Sequence, residues 1–221
     1  MNKATISADI VSSTSLNVEQ RLMLEKKLNQ LLAFLKKKVG SKLFFGRLIK
    51  GDYIECVLEN PQLALLVALL IKSYVKSLDI KADKKSNQNL KDFKEYGIRI
   101  AIGVGELSIW DKKKGIIDGE AIYLSGRAIN DMTATKITLV FKSKNEHWNN
   151  AFEPICSLLD VLFSKMTQLQ SQIVYYKLLS KTEKEISELI NKSQPTINSH
   201  SKKAGWSAIH SAVNYFETTI N

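Results

Sequence analysis

The sequence predicts an α+β fold up to about residue 145, followed by an all-helical segment. Up to that point, stretches with apolar residues at every second position, as in strands, alternate with stretches of helical spacing. From about residue 152 onward every segment has helical spacing. The charge changes with the pattern: residues 1–151 hold 25 basic and 16 acidic residues, a net +9, whereas residues 152–221 hold 7 and 6, a net +1.

Composition indicates a globular protein. Of the 221 residues, 44% are hydrophobic and 24% are charged, which is ordinary for a folded domain. No apolar run reaches the roughly 18 residues of a membrane span, and the N-terminus lacks the layout of a signal peptide, so we expect a cytoplasmic protein without membrane partners. Cys56 and Cys156 have no metal-binding spacing. We expect buried, reduced thiols, with a single disulfide as the alternative.

The first elements are a strand, a helix and a hairpin. Residues 4–11 alternate, with Ala4, Ile6, Ala8 and Ile10 on one face and Thr5, Ser7, Asp9 and Val11 on the other. A helical stripe covers 17–38 and stops at Gly40. Strands are predicted over 43–49 and 53–58, joined by a Lys50-Gly51-Asp52 turn of the kind that suits hairpins.

The next elements complete a sheet. Pro61 opens a helix over 61–78, and 81–96 has little periodicity, which predicts an exposed loop. A strand over 97–107, a charged hairpin tip over 110–117, a helix over 119–132 and a strand over 136–143 follow. The first six elements form a βαββαβ unit, which predicts a ferredoxin-like sheet with helices on one face, in a domain covering residues 1–145.

The second predicted domain covers residues 152–221. Thr167 with Gln170, and Thr182 with Glu185, have the spacing of capping boxes that open helices. Ser193 can cap a further helix with Pro195 in its first turn, and a last helix covers 206–219. Within it, 182–206 has the layout of a helix-turn-helix: Asn191 sits where the turn needs a positive φ, Ser187 is small at the crossing, and Ile186, Leu189, Ile190 and Ile197 form the predicted core.

The outward face of the second helix of this motif is polar, and its predicted DNA contacts are Gln194, Thr196, Asn198, Ser199, Lys202 and Lys203. Gln and Asn suit base edges, and Ser, Thr and Lys suit phosphates. The segment 158–206 resembles region 4 of sigma factors, which implies a helix in the DNA major groove. It departs from that pattern at Ser199 and Ser201. The alternative is a helical bundle used for protein contacts.

A second set of motifs lies in the first domain. "ISADIVSSTSL" carries Asp9, "IKGDYIECVL" carries Asp52, and "DGEAIYLSGRAI" carries Arg127. Together they resemble the catalytic domain of class III nucleotide cyclases, and more closely the cyclase-related domain of SatD-like proteins, which also carry a C-terminal helix-turn-helix. The resemblance implies that Asp9 and Asp52 hold Mg²⁺ or Mn²⁺ with a nucleoside triphosphate, that Ser12, Ser13 and Thr14 cradle phosphate, and that Arg127 offsets transition-state charge.

Other family positions differ in this chain. Tyr123 replaces the asparagine four residues before Arg127, and Leu48 replaces the adenine-selecting lysine, which argues against efficient cyclisation. Plainer interpretations exist for each residue: Asp9 as a polar-face strand residue, Asp52 as a turn residue, and Arg127 as the partner of Asp131.

We therefore expect a homodimeric DNA-binding transcriptional regulator. Its cyclase-like domain senses a nucleotide or mediates dimerisation and does not turn nucleotide over. The alternatives are a working nucleotide cyclase and a helical interaction module that does not bind DNA.

Overall fold

The protein is described here by a computed structural model, which covers residues 1–80 and 88–220, with the backbone alone for 88–90. The strands are β1 (Lys3–Ile10), β2 (Phe44–Ile49), β3 (Tyr53–Leu58), β4 (Ile98–Gly105), β5 (Leu107–Asp111), β6 (Ile116–Gly119) and β7 (Leu139–Ser143). The helices are α1 (Val18–Val39), α2 (Ala64–Ser77), α3 (Gln88–Tyr96), α4 (Glu120–Met132), α5 (Glu146–Lys165), α6 (Gln168–Leu178), α7 (Glu183–Ile190), α8 (Gln194–Lys203) and α9 (Trp206–Thr219). The fold is thus mixed α+β.

The main sheet has five strands in the order β2-β3-β1-β4-β7. The first four are joined by antiparallel pairing, and β4 pairs with β7 in parallel. In the middle of the sheet Ile6 lies opposite Cys56 on one side and Ile102 on the other. The central strand β1 therefore has its polar and apolar side chains fixed on opposite faces, because side chains alternate along a strand.

The apolar face of the sheet carries the main core. Ala4, Ile6, Ala8 and Ile10 of β1 are fully buried there against α1 and α2. The stripe of α1 that packs on this face is Leu24, Leu28, Leu31, Leu32 and Leu35. Burial of each such leucine contributes roughly 1.5–3 kcal/mol, so this face accounts for much of the stability of the domain.

The opposite face is covered by α4, and a polar contact joins them. The Ser125 hydroxyl lies 2.9 Å from those of both Thr5 and Ser7, and all three side chains are buried. Gly103 permits this close packing, because a Cβ there would lie 2.2 Å from the carbonyl oxygen of Ala121. Helices therefore cover both faces of the sheet.

The β5–β6 hairpin folds back over the strands at one side of the sheet. The rings of Trp110 and Phe45 meet edge to face with centroids 5.1 Å apart. Arg47 on β2 donates from Nη1 to the carbonyl of Gly115 at the hairpin tip, 2.7 Å away. The charged tip predicted over 110–117 thus forms the turn of a hairpin that contacts the sheet.

The C-terminal helices share the core of the sheet. The ring of Phe141 on β7 lies 5.3 Å from that of Phe152 on α5 and 5.7 Å from that of Phe216 on α9, and all three are buried. A smaller cluster of Ile173, Ile186 and Ile197 joins α6, α7 and α8. Thus α5 and α9 extend the first core, and α6–α8 also have a core of their own. The domain division between residues 145 and 152 stays a prediction.

Two sequence expectations need correction. The loop predicted over 81–96 is in part a helix, since α3 covers Gln88–Tyr96; residues 81–87 lie outside the described part of the chain. The helix has its own apolar contact, since Phe93 is buried, and one apolar residue per turn is too weak a pattern to predict it. Leu189 was assigned to the helix-turn-helix core but is 55% exposed.

The two cysteines, Cys56 and Cys156, are free thiols and both are buried. Burial raises the pKa of the Cys156 thiol to about 12, so this group stays protonated at neutral pH. In the part of the chain that the structure describes, we find no helix with the length and hydrophobicity needed to span a membrane.

Candidate functional site

Asp9 and Asp52 lie side by side, although 43 positions separate them in the chain. Asp9 is next to last in β1 and lies opposite Tyr53, the first residue of β3. The backbone N–H of Ile10 donates to the carbonyl of Asp52 at 3.3 Å, which brings the hairpin turn against the end of β1. Burial, and then the neighbouring Asp52 charge, raise the pKa of the Asp9 carboxyl. The hairpin turn that carries Asp52 therefore lies beside the end of β1, and the charge of Asp52 acts on the Asp9 carboxyl.

Arg99 is the residue that sequence reasoning missed at this site. It faces Asp9 across the antiparallel β1–β4 pair, and its Nη1 lies 3.5 Å from Asp9 Oδ2. Its Nε is buried with no hydrogen-bond partner among the described residues. The guanidinium partly offsets the rise in the pKa of Asp9. Register alone brings these residues together, so only correct strand pairing could have revealed the contact.

The segment after β1 forms a tight turn around the carboxylates. Ser13–Ser15 is a single 3₁₀ turn, and Ser12 before it has a left-handed φ of 55°. The Ser13 hydroxyl donates to Asp52 Oδ2 at 2.7 Å. The long helix α1 begins only at Val18, with Asn17 as its cap, and the expected phosphate cradle at Ser12, Ser13 and Thr14 stays a prediction. Ser12, Ser13 and Thr14 therefore belong to a turn beside the carboxylates.

A cavity of about 180 Å³ opens beside this turn. Its polar lining consists of Ser13, Thr14, Arg21, Glu25, Lys50 and Asp52. Arg21 donates from Nε to the carbonyl of Leu16 at 2.9 Å and from Nη2 to that of Thr14 at 2.8 Å. Arg21 thus fixes the turn from the first helical turns of α1, and Arg21 and Lys50 add positive charge next to Asp52.

The carboxylate pair suits a hard divalent cation with an incomplete protein shell. Mg²⁺ is typically held by one or two carboxylates, with waters and substrate phosphates completing its octahedron. Within residues 1–80 and 88–220 there is no group of three or more His, Cys, Asp or Glu side chains arranged for a metal ion. Asp9 and Asp52 could therefore supply two ligands, and a phosphate-bearing ligand would have to supply others.

Arg127 occupies a different setting. It lies on the exposed side of α4, and its guanidinium carbon is 4.0 Å from the centroid of the Tyr123 ring, one turn earlier. This is a cation–π contact, in which the face of the ring attracts the guanidinium. The Ser13 hydroxyl bonds Asp52, and the Asp52 charge acts on Asp9, whereas the contact we find for Arg127 is to Tyr123.

The C-terminal motif has two short helices at a tight turn. Asn191 ends α7 with a left-handed φ of 51°, and the Ser187 hydroxyl donates to the carbonyl of Lys192 at 2.6 Å. Ser193 caps α8, accepting from the N–H of Thr196. Buried Ile186 and Ile197 hold the helices together. These local features follow the sequence expectations for 182–206.

The polar face of α8 divides into two groups. Gln194, Ser199, Lys202 and Lys203 are exposed. In contrast, the Thr196 hydroxyl lies 2.8 Å from that of Ser193, and the Asn198 amide donates to both carboxylate oxygens of Glu183 at 3.2 and 3.3 Å. Thr196 and Asn198 thus make bonds within the motif, while the exposed four point to solvent.

Comparison with known proteins gives limited matches. No protein-family model and no curated protein matches the sequence. Two solved structures of bacterial light-regulated adenylyl cyclases align with it, one at 15% identity with a TM-score of 0.45 and the other at 16% with 0.47. Each alignment covers 64% of this chain and 43% of the cyclase chain. The chain therefore spans less than half the length of either cyclase.

Proposed function

We propose that this protein is a DNA-binding regulator whose sheet domain binds a nucleotide with a divalent cation. The observation that carries the DNA-binding half is the exposed row of Gln194, Ser199, Lys202 and Lys203 on α8, beyond a tight turn and above a small isoleucine core. A helix presented in this way, with amide, hydroxyl and ammonium groups outward, has the chemistry to enter a major groove.

The proposed contacts have separate roles. Gln194 lies at the N-terminus of α8, where recognition helices contact base edges. Lys202 and Lys203 lie two turns further on and suit phosphates. Residues 152–221 carry a net charge of only +1, so one copy would attract the DNA backbone weakly. Two copies on paired half-sites would double the contacts.

The test is fluorescence anisotropy with DNA fragments, including the region upstream of the gene that encodes the chain, at two stated salt concentrations. We expect the double variant Lys202→Ala and Lys203→Ala to bind all fragments more weakly. The slope of the logarithm of the binding constant against the logarithm of the salt concentration should also fall in magnitude by about one for each lost phosphate contact. Gln194→Ala should relax sequence preference at a cost of about 1–3 kcal/mol. Lys165→Ala, at the exposed end of α5, is the matched control. Binding that survives all three α8 changes would reject the proposal.

The second half of the proposal rests on the adjacent carboxylates. The neighbouring Asp52 charge helps to raise the pKa of Asp9, and a divalent cation would remove that repulsion. Arg21, Lys50 and Thr14 line the neighbouring cavity and carry donors that suit phosphate oxygens, while the Ser13 hydroxyl, beside them, donates to Asp52. Asp9 and Asp52 would hold the cation, which would offset the negative charge of the phosphates.

We propose binding without cyclisation for this site. The supporting observations are the Tyr123 and Leu48 substitutions and the stacking of Arg127 on Tyr123. That contact holds the Arg127 guanidinium against the Tyr123 ring, which does not leave it free to offset phosphate charge. A nucleotide cyclase with Asp9, Asp52 and Arg127 in catalytic roles remains the alternative, and it predicts pyrophosphate release from ATP or GTP with Mn²⁺.

Thermal unfolding with a panel of nucleotides and Mn²⁺ tests this half, because a ligand that binds the folded state raises its stability. We expect stabilisation by at least one triphosphate, lost in Asp52→Asn and retained in Asp131→Asn, an exposed carboxylate on α4. Pyrophosphate release lost in Asp52→Asn would favour the cyclase. No stabilisation by any nucleotide would reject the site.

We also propose that β1, α1, β2, β3, α2 and β4 form a ferredoxin-like βαββαβ unit. The order β2-β3-β1-β4 with antiparallel neighbours supports it, as do α1 and α2, which both pack on the apolar face. The paired DNA contacts above require a homodimer.

A further inference from the structure

The two runs of three lysines in the sequence, at 36–38 and 112–114, lie at one corner of the sheet domain. The first run is the last turn of α1, and the second forms the turn between β5 and β6. The Lys112 ammonium donates to the carbonyl of Lys42, which lies in the tight turn after α1, where the N–H of Leu43 donates to the carbonyl of Gly40 at 3.0 Å. We call the lysines of this surface the basic corner: Lys36, Lys37, Lys38, Lys42, Lys112, Lys113 and Lys114.

The hairpin turn in this corner is held by its own polar contacts. Asp111 Oδ1 accepts from the backbone N–H groups of Lys113 at 2.9 Å and Lys114 at 3.1 Å. Next to them, Glu59 Oε1 lies 3.3 Å from the Lys112 ammonium. Since these contacts fix the turn, the exposed side chains of Lys113 and Lys114 are carried at a defined place.

The basic corner carries half of the net charge of the protein. The carboxylates bonded to its residues are Glu59 and Asp111, so seven lysines and two acids give a net +5, against +10 for the whole chain. Within residues 1–80 and 88–220, only Lys112 of the seven makes an ion pair. Like charges at this density repel one another, and a bound polyanion would relieve that repulsion.

Stabilisation of α1 alone does not account for this charge. The C-terminus of a helix is equivalent to about half a negative charge, whereas the last turn of α1 holds three lysines and Lys42 follows it. One of the free carbonyls at this end is already satisfied, because the N–H of Gly40 donates to the carbonyl of Lys36 at 3.1 Å. Most of the positive charge is therefore available to a partner.

We propose that the basic corner binds the phosphate backbone of duplex DNA without reading its sequence. Lysine ammonium groups are mobile point charges, which suit phosphates rather than base edges. The inference rests on the proposed DNA binding for its choice of partner. It also supplies what α8 lacks, since residues 152–221 have a net charge of only +1. The sheet domain would then provide affinity through phosphates, and α8 would provide sequence preference.

An anionic membrane is the other extended polyanion that such a surface could meet. Surfaces that bind membranes add aromatic or large apolar side chains that enter the lipid interface. Trp110, the aromatic residue of the hairpin, instead turns inward: its ring meets that of Phe45 with centroids 5.1 Å apart, and its indole N–H donates to Glu59 at 2.8 Å. The tip is left to Lys113 and Lys114, which favours a phosphate backbone.

Fluorescence anisotropy of the full chain with a DNA duplex of mixed sequence, at a series of salt concentrations, tests the proposal. One double variant is Lys37→Gln with Lys38→Gln, at the end of α1, and the other is Lys113→Gln with Lys114→Gln, at the hairpin tip. We expect each to weaken binding about tenfold or more at low salt. The slope of the logarithm of the binding constant against the logarithm of the salt concentration should fall in magnitude by about two in each.

The matched control is Lys26→Gln with Lys27→Gln. These two lysines are exposed on α1, about three turns before Lys37, and the control removes the same charge from the same helix. Its salt slope should stay close to that of the wild type. Corner variants that bind DNA no more weakly than this control would overturn the proposal.

The α8 variants at Gln194, Lys202 and Lys203 distinguish this inference from the proposed function. Loss of binding in the corner variants alone would support the corner and reject α8, whereas loss in the α8 variants alone would reject the corner and support α8. No binding by the wild type would overturn both. Vesicles of phosphatidylserine and phosphatidylcholine provide the last comparison: vesicle binding that only the corner variants lose, with their DNA binding unchanged, would assign the corner to a membrane and overturn the proposal.

Discussion

Arg99 lies directly opposite Asp9 in the antiparallel pairing of β4 with β1, with its Nη1 3.5 Å from Asp9 Oδ2. The same carboxylate has Asp52 as a neighbour of like charge. Asp9 therefore sits between a positive and a negative group, and a cation that binds both carboxylates would compete with Arg99 for it. The pKa of Asp9 should therefore change in opposite directions when Asp52 or Arg99 is neutralised.

We expect Asp52→Asn to lower the pKa of Asp9, because it removes a like charge, and Arg99→Gln to raise it further. Carboxyl-detected NMR titration of Asp9 measures both. The raised pKa means that Asp9 holds its proton more tightly in the folded state. Its contribution to stability is therefore present below the ordinary value of 3.8 and lost as pH rises through the folded pKa. Equal pKa values of Asp9 in the two variants would contradict the placement of Asp52 and Arg99 beside it.

The contact between α4 and the sheet should not tolerate a side chain at Gly103. A Cβ there would meet the backbone of Ala121 at 2.2 Å, so Gly103→Ala should lower the free energy of unfolding by about 1–3 kcal/mol or more. Urea unfolding measures this. Gly126→Ala, on α4, is the control. No atom lies within 4 Å of the added methyl group, so the free energy of unfolding should rise by about 0.5–1 kcal/mol. Similar effects in both variants would show that α4 packs differently.

A buried lysine should make stability depend on alkaline pH. The Lys72 ammonium is almost fully buried, 2.6 Å from the Thr138 hydroxyl and 3.4 Å from Asp160. Burial lowers its pKa to about 8. The unfolded chain then binds the proton more tightly between pH 8 and 10.5, so the free energy of unfolding rises with pH over that range.

In Lys72→Met this rise between pH 7 and 10 should shrink by on the order of 2 kcal/mol. Chemical unfolding at a series of pH values provides the measurement. Part of the rise should persist, since burial also lowers the pKa of Lys76 to about 8. An unchanged slope would mean that Lys72 titrates normally.

The turn between α7 and α8 should depend on the left-handed conformation of Asn191. With a φ of 51°, Asn191→Ala should destabilise the motif by about 1–2 kcal/mol, while Asn191→Gly should be close to neutral. Hydrogen exchange of α7 and α8 amides measures the effect locally. Lys192→Ala, the exposed neighbour, is the control. Equal protection in the Ala and Gly variants would contradict the turn geometry.

Local signals in the sequence determined much of this protein. The capping boxes at Thr167 and Thr182 are both formed, and the Asn191 turn and the two-residue alternation of β1 occur where they were predicted. Each depends on residues close together in the chain, so a short segment already contains the interactions that form it. The α+β class follows from the order of such segments.

Only the tertiary structure determined which residues from distant parts of the chain lie next to each other. The Asp9–Arg99 contact and the covering of both sheet faces depend on strand register and on which helix packs where. The α3 helix also escaped prediction, because the pattern of its segment is weak. The shared core of Phe141, Phe152 and Phe216 brings together residues up to 75 positions apart. Such contacts are selected by the free energy of the whole packed core, which no single segment specifies.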